Sequence, residues 1–202
     1  MFKNIFRKKE MADHNMQLAE WEKKGRPAPP PHIVKQMTIK EYSQKYNTGI
    51  LVETGTYLGE MVEAQLANFS RIISIELSKE FHKLAKQKFR KHAHVELLQG
   101  DSGIKLGEVV PSLSEPALFW LDGHYSGGKT ARGEKDCPVP EELNIILKSD
   151  LPHVILIDDA RLFNGTQDYP DITSIKQIIK AGNREYALET KDDIIRLTPS
   201  KN

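Results

Sequence analysis

The most constraining feature of this chain is a change in the length of its connections. From residue 50 onward, short runs rich in β-branched residues (Ile50 to Glu53, Arg71 to Glu76, His94 to Gln99, Ala117 to Asp122, His153 to Asp158) alternate with longer segments of helical period. Leu58/Val62/Leu66/Phe69, Phe81/Leu84/Ala85/Phe89 and Leu106/Val109/Val110/Leu113 recur every three or four positions. Such a stripe lets a crossover helix cover one face of a sheet and return the chain to a parallel strand. Pro140 with Glu141 and Glu142 opens a fourth helix, and Ile172/Ile175/Ile179 marks a fifth. Then the pattern breaks. Arg184 to Glu189 and Asp193 to Thr198 are separated only by Thr190-Lys191-Asp192, too short for a crossover, so they must pair as an antiparallel hairpin. The expected class is α/β, a doubly wound and mostly parallel sheet closed by that hairpin.

The 202 residues suit one compact domain plus an extension, at roughly 150 residues per domain. Residues 1–47 form the extension: a basic start, a weak helical pattern (Met11, Leu18, Trp21), and a stiff linker at Pro27-Ala28-Pro29-Pro30-Pro31. Thr38 and Glu41 have capping-box spacing, and Ile39, Tyr42 and Tyr46 form a stripe, so a short helix is expected to lead into the domain of residues 48–202. Phe2, Ile5 and Phe6 beside basic residues read as a frayed terminus rather than a membrane-surface anchor.

With 29 Lys+Arg against 28 Asp+Glu, there is no net field to drive binding to nucleic acid or to an anionic bilayer, and no nucleic-acid partner is expected. The basic helix around Lys83, Lys86, Lys88, Arg90 and Lys91 lacks an aromatic platform and reads as a solvated face. A single cysteine, Cys137, excludes an intrachain disulfide and any zinc site built on two or more thiolates. No apolar run approaches the ~20 residues of a transmembrane segment, and the first residues do not have the order of a signal peptide. A cytoplasmic location is therefore expected.

In a doubly wound sheet, ligands bind beyond the carboxyl ends of the strands. The first run ends Glu53-Thr54-Gly55-Thr56-Tyr57-Leu58-Gly59, a glycine-containing strand-to-helix turn. Glu53 would repel a pyrophosphate and attract an ammonium or sulfonium; a purely structural turn fits the two glycines equally well. The second run ends in Glu76, about 20 residues further on, where an acid accepts both hydroxyls of an adenosine ribose. After the third run, Asp101 of Gly100-Asp101-Ser102 suits either an adenine amino group or the N-cap of the next helix.

Together these positions resemble class I S-adenosylmethionine-dependent methyltransferases, over roughly residues 48–198. The resemblance implies a Rossmann-like, seven-stranded sheet ending in an antiparallel hairpin, with S-adenosyl-L-methionine as cofactor. It implies that Glu53, Gly55 and Gly59 border the methionine part, Glu76 holds the ribose and Asp101 lies near the adenine. Thr56, Tyr57, Ser102 and Asp122 complete the implied cofactor contacts. Tyr57 replaces the commoner glycine, a departure familiar among small-molecule O-methyltransferases of this class.

The fourth and fifth runs end in Asp122-Gly123-His124 and Asp158-Asp159. Neighbouring strands would gather Asp122, Asp158 and Asp159 at one rim, where they repel unless a cation or protons intervene. An all-oxygen set suits Mg²⁺ or Mn²⁺. This resembles the metal-dependent O-methyltransferases of catechols and antibiotic sugars. That likeness implies Asp122, Asp158 and Asp159 as metal ligands, His124 as the base, and catalysis shared by Asp122 and His124. The implied reaction is methyl transfer to a hydroxyl of a small molecule, with a sugar or glycan favoured weakly. Oligomeric state stays open, a homodimer included.

A competing motif overlaps this rim. Gly123 to Thr130 matches G-x-x-x-x-G-K-[ST], the phosphate loop of nucleoside triphosphatases and kinases. That loop must start a helix, yet Ala131 to Pro138 has almost no apolar stripe and soon meets prolines. On the methyltransferase reading, residues 125–138 and Arg161 to Pro170 become two loops over the active site. A cofactor-binding module without turnover is the third alternative.

Overall fold

The structure is a computed structural model that describes residues 2–123 and 137–200, with side-chain surroundings from residue 12 onward. Two helices come first, α1 (Phe2–Lys23) and α2 (His32–Tyr46). Strands and helices then alternate: β1 (Ile50–Thr54), α3 (Glu60–Gln65), β2 (Arg71–Glu76), α4 (Lys79–Lys88), β3 (Val95–Gln99), α5 (Ser102–Ser112), β4 (Ala117–Leu121), α6 (Val139–Ile146), β5 (Val154–Ile157) and α7 (Ile172–Lys180). The hairpin β6 (Tyr186–Lys191) and β7 (Ile194–Pro199) follows.

Among the described residues, seven strands form one sheet in the order β3-β2-β1-β4-β5-β7-β6. The first five strands are parallel, and β7 runs antiparallel to both β5 and β6. The hairpin turns at Asp192-Asp193, with φ of 54° and 61°, and not at Thr190-Lys191-Asp192 as expected. A two-residue turn with both residues left-handed matches the strand twist, and Asp tolerates that conformation.

Alternation along the strands sorts the core into two layers. Val52, Ile73, Ile75, Phe119, Leu121, Ile155 and Ile157 pack with α5, α6 and α7 residues. Leu51, Ile72, Leu118, Trp120 and Leu156 pack on the other face with Ile39 and Tyr42 of α2, Met61 and Val62 of α3, and Ala85 and Phe89 of the α4 end. The expected stripes hold only in part: Leu58 precedes α3 and is 45% exposed, and Leu84 is 47% exposed.

The N-terminal region also departs from expectation. The helix predicted to start at Thr38 begins at His32, and the Thr38 hydroxyl donates to the Val34 carbonyl at 2.9 Å instead of capping. The segment expected to fray is helical from Phe2. Its end is docked: Trp21 is buried, its Nε1 donates to the Pro27 carbonyl at 2.7 Å, and Arg26 stacks on its ring and pairs with Asp192 at 2.7 Å. Among the described residues, no helix is long and apolar enough to cross a membrane.

Candidate active site

The sheet order places β1 beside β4, while the chain leaves these strands toward opposite sides, and such a switch point opens a crevice at the carboxyl rim. There the two loops touch. Gly55 has a φ of 88°, and a Cβ on it would lie 2.4 Å from the Asp122 carbonyl oxygen. Its N–H donates to the Ile75 carbonyl at 2.9 Å, and the Asp122 N–H to the Thr54 carbonyl at 3.1 Å. Glycine is therefore required by close approach of two backbones. Gly59 is different: its open side, at φ 69°, faces the Phe89 ring, where a Cβ would come within 2.6 Å. Tyr57, at the position commonly held by glycine, has a φ of 47° and sets its ring edge-on against Phe81.

Three carboxylates approach one another at this crevice. Glu53 is buried, and burial pushes its pKa up to about 8 despite a hydrogen bond from the Ser74 hydroxyl, with Asp122 and Glu76 adding repulsion. The Thr56 hydroxyl lies 2.6 Å from that of Ser74, so Thr56, Ser74 and Glu53 form a buried chain. Glu76 accepts the N–H groups of Tyr57 and Ser78, each at 2.7 Å, one on each oxygen. Each oxygen keeps a second lone pair for a hydroxyl. Asp101 caps α5 by accepting the Gly103 N–H at 2.8 Å, the second of its two sequence readings, and Ser102 is buried beside it. The donor set suits an adenosyl sulfonium: carboxylates for a cation and a diol, and a tight backbone turn between them.

The rim after β5 holds a residue that no motif announced. Lys35 of α2 pairs with Asp158 Oδ2 and lies 3.8 Å from Asp159 Oδ1. Asp158 Oδ1 accepts the Asp159 N–H at 2.8 Å, and Asp159 Oδ1 pairs with Arg161 at 2.8 Å. Burial raises the Asp158 pKa, and Lys35 opposes that rise. Burial also works against the Lys35 ammonium, but Asp158, and then Asp122 and Asp159, outweigh it and hold its pKa above the usual lysine value.

These residues do not fit the expected divalent ion. An ammonium already occupies the rim against Asp158, and among the described residues no group of three or more His, Cys, Asp and Glu is arranged to hold a metal. The expected set of Asp122, Asp158 and Asp159 is thus brought together around a lysine. His124 and the phosphate-loop motif beyond Gly123 lie outside the described residues. Of the two expected loops, residues 125–136 also lie outside them, while the second is pinned to the core by Phe163 and Tyr169, packed edge-on at 5.4 Å.

No family model and no curated protein matches this chain. Solved structures do. An O-methyltransferase from Bacillus cereus in complex with SAH is similar at 16% identity and a TM-score of 0.59, covering 93% of this chain and 90% of that one. The O-methyltransferase TomG from Streptomyces achromogenes, in complex with SAM, is similar at 14% identity and a TM-score of 0.60, covering 94% and 89%. The N-methyltransferase NodS from Bradyrhizobium japonicum is similar at 13% identity and a TM-score of 0.55, covering 84% and 97%. The strand order, the reversed seventh strand and these likenesses make this the fold of class I S-adenosylmethionine-dependent methyltransferases.

Proposed function

We propose that the chain transfers a methyl group from S-adenosyl-L-methionine to a hydroxyl of a small acceptor, with a sugar or glycan as the narrower class. The observation that carries the reading is the switch-point crevice itself, where the Gly55 turn meets Asp122 between the buried Glu53 and the Glu76 carboxylate. When bound, the cofactor supplies a sulfonium methyl whose S–C bond breaks as the new O–C bond forms, leaving S-adenosylhomocysteine. The protein's part is mostly in-line positioning. Glu76 offers its remaining lone pairs to two ribose hydroxyls, and Glu53 gives up its proton when a cation arrives beside it. In this reading Asp101 and Ser102 border the adenine, Asp122 borders the transferring group, and His124 accepts the hydroxyl proton by virtue of its place two residues after Asp122. Oxygen as the acceptor atom rests on the sequence resemblance, and no metal step is included.

The test is thermal melting with ligand at about 100 times its Kd, which is worth about 2.7 kcal/mol, or about 5–11 °C for a chain of this size. S-adenosylhomocysteine is expected to raise the Tm by that amount, ATP with Mg²⁺ is not, and Glu76→Ala removes the shift. A shift with ATP and none with S-adenosylhomocysteine contradicts the reading.

A further inference from the structure

We propose that the Lys35 ammonium, carried by α2 to the carboxylates after β4 and β5, is the resident cation of this rim and keeps divalent metal ions out of it. The placement follows from chain geometry. α2 has 15 residues and so spans about 22 Å, slightly more than the ~17 Å of a five-residue strand. It is capped by Asn47, three residues before β1 begins, so its first turn lies at the opposite, carboxyl end of the sheet. The helix cannot slide, because Ile39 and Tyr42 are buried against the sheet and the Gln65 side chain donates to the Gln36 carbonyl at 3.0 Å. The Lys35 side chain is only 15% exposed.

The charges agree with this placement. Asp122, Asp158 and Asp159 face Lys35, and Arg161 bridges Asp159 and Asp193, so two cations already stand among these carboxylates. A divalent ion would have to displace the ammonium or sit against it as a like charge. An acceptor hydroxyl at this rim then meets an ammonium instead of a Lewis acid, and methyl transfer is expected to survive a chelator. This consequence rests on the proposed methyltransferase activity, whereas the ion exclusion does not.

The experiment titrates Mn²⁺ into the chelator-treated full chain without cofactor and follows the free-ion signal by electron paramagnetic resonance. Wild type is expected to leave millimolar Mn²⁺ free. Lys35→Met and Lys35→Gln are expected to bind one ion about tenfold or more tightly than wild type, and adding Asp158→Asn is expected to abolish the gain. A cooperative melting transition without ligand reports whether each variant is folded, and its shift with S-adenosylhomocysteine, scored separately, reports whether the cofactor reading stands. Uptake of Mn²⁺ by wild type that is lost in Asp158→Asn overturns the proposal. So does a folded Lys35 variant that binds no more than wild type. If neither Lys35 variant folds, wild type against Asp158→Asn decides it in the same way.

Discussion

Glu53 is the residue whose environment is most at odds with its chemistry. Its carboxyl has a pKa of about 8 in the fold, against an ordinary value of 4.5, chiefly because it is buried. A carboxyl with a raised pKa binds its proton more tightly folded than unfolded, so its stabilising contribution is complete below about 4.5 and is lost as pH rises through about 8. Glu53→Gln keeps the hydrogen-bonded shape without the titration. The Tm of wild type relative to that variant is expected to fall steadily across this window, and a constant difference would contradict it. The same proton should leave when a sulfonium binds, so calorimetry below pH 8 is expected to give a binding enthalpy that depends on the buffer's ionisation enthalpy. Gly55 carries the other demand at this scale. Gly55→Ala places a Cβ 2.4 Å from a backbone oxygen at φ 88°, and is expected to cost about 2 kcal/mol or more in urea unfolding and to weaken cofactor binding. A loss within the error of the measurement would mean that the two loops are free to part.

At the scale of elements, the strands were legible because β-branched runs and crossover helices leave a strong period, and all five parallel strands lie within a residue or two of their expected limits. What was not legible depended on contacts that no motif encodes. Thr38 reads as a cap until its hydroxyl is seen to return to the Val34 carbonyl. Thr190-Lys191-Asp192 reads as a turn until β6 is seen to pair through Lys191 with Ile194. Lys35 has no local signal, since its partner Asp158 is 123 residues away. The glycine turn, Glu76 and the acid-ended strands were readable because a parallel sheet puts every strand's carboxyl end on one rim. α2 turns out to be a layer of that core. Ile39→Ala, at a side chain with 0% exposure, is expected to lose about 2–5 kcal/mol in denaturant unfolding. A cost below 1 kcal/mol would show that α2 is a removable arm.

For the whole molecule, a net charge of +1 conceals an uneven distribution. By strand parity, Glu53, Glu76, Asp122 and Asp158 follow the Leu51, Ile72, Trp120 and Leu156 face, the one that α2, α3 and α4 cover. Parallel strands then bring all four to one end of the sheet, where Lys35 offsets the β5 side and the β1 side gains charge as Glu53 gives up its proton. A local acidic field favours a cation and is screened by salt. Affinity for S-adenosylmethionine is accordingly expected to weaken with ionic strength more steeply than affinity for S-adenosylhomocysteine, which lacks the sulfonium charge. Parallel salt dependences would place the charge outside the crevice.

The most direct test is a crystal structure of the chain grown with S-adenosylhomocysteine. The ribose hydroxyls are predicted to lie within hydrogen-bond reach of the Glu76 carboxylate and the amino-acid end beside the Gly55 turn. Nucleoside bound elsewhere, with the crevice between β1 and β4 empty, would contradict the account.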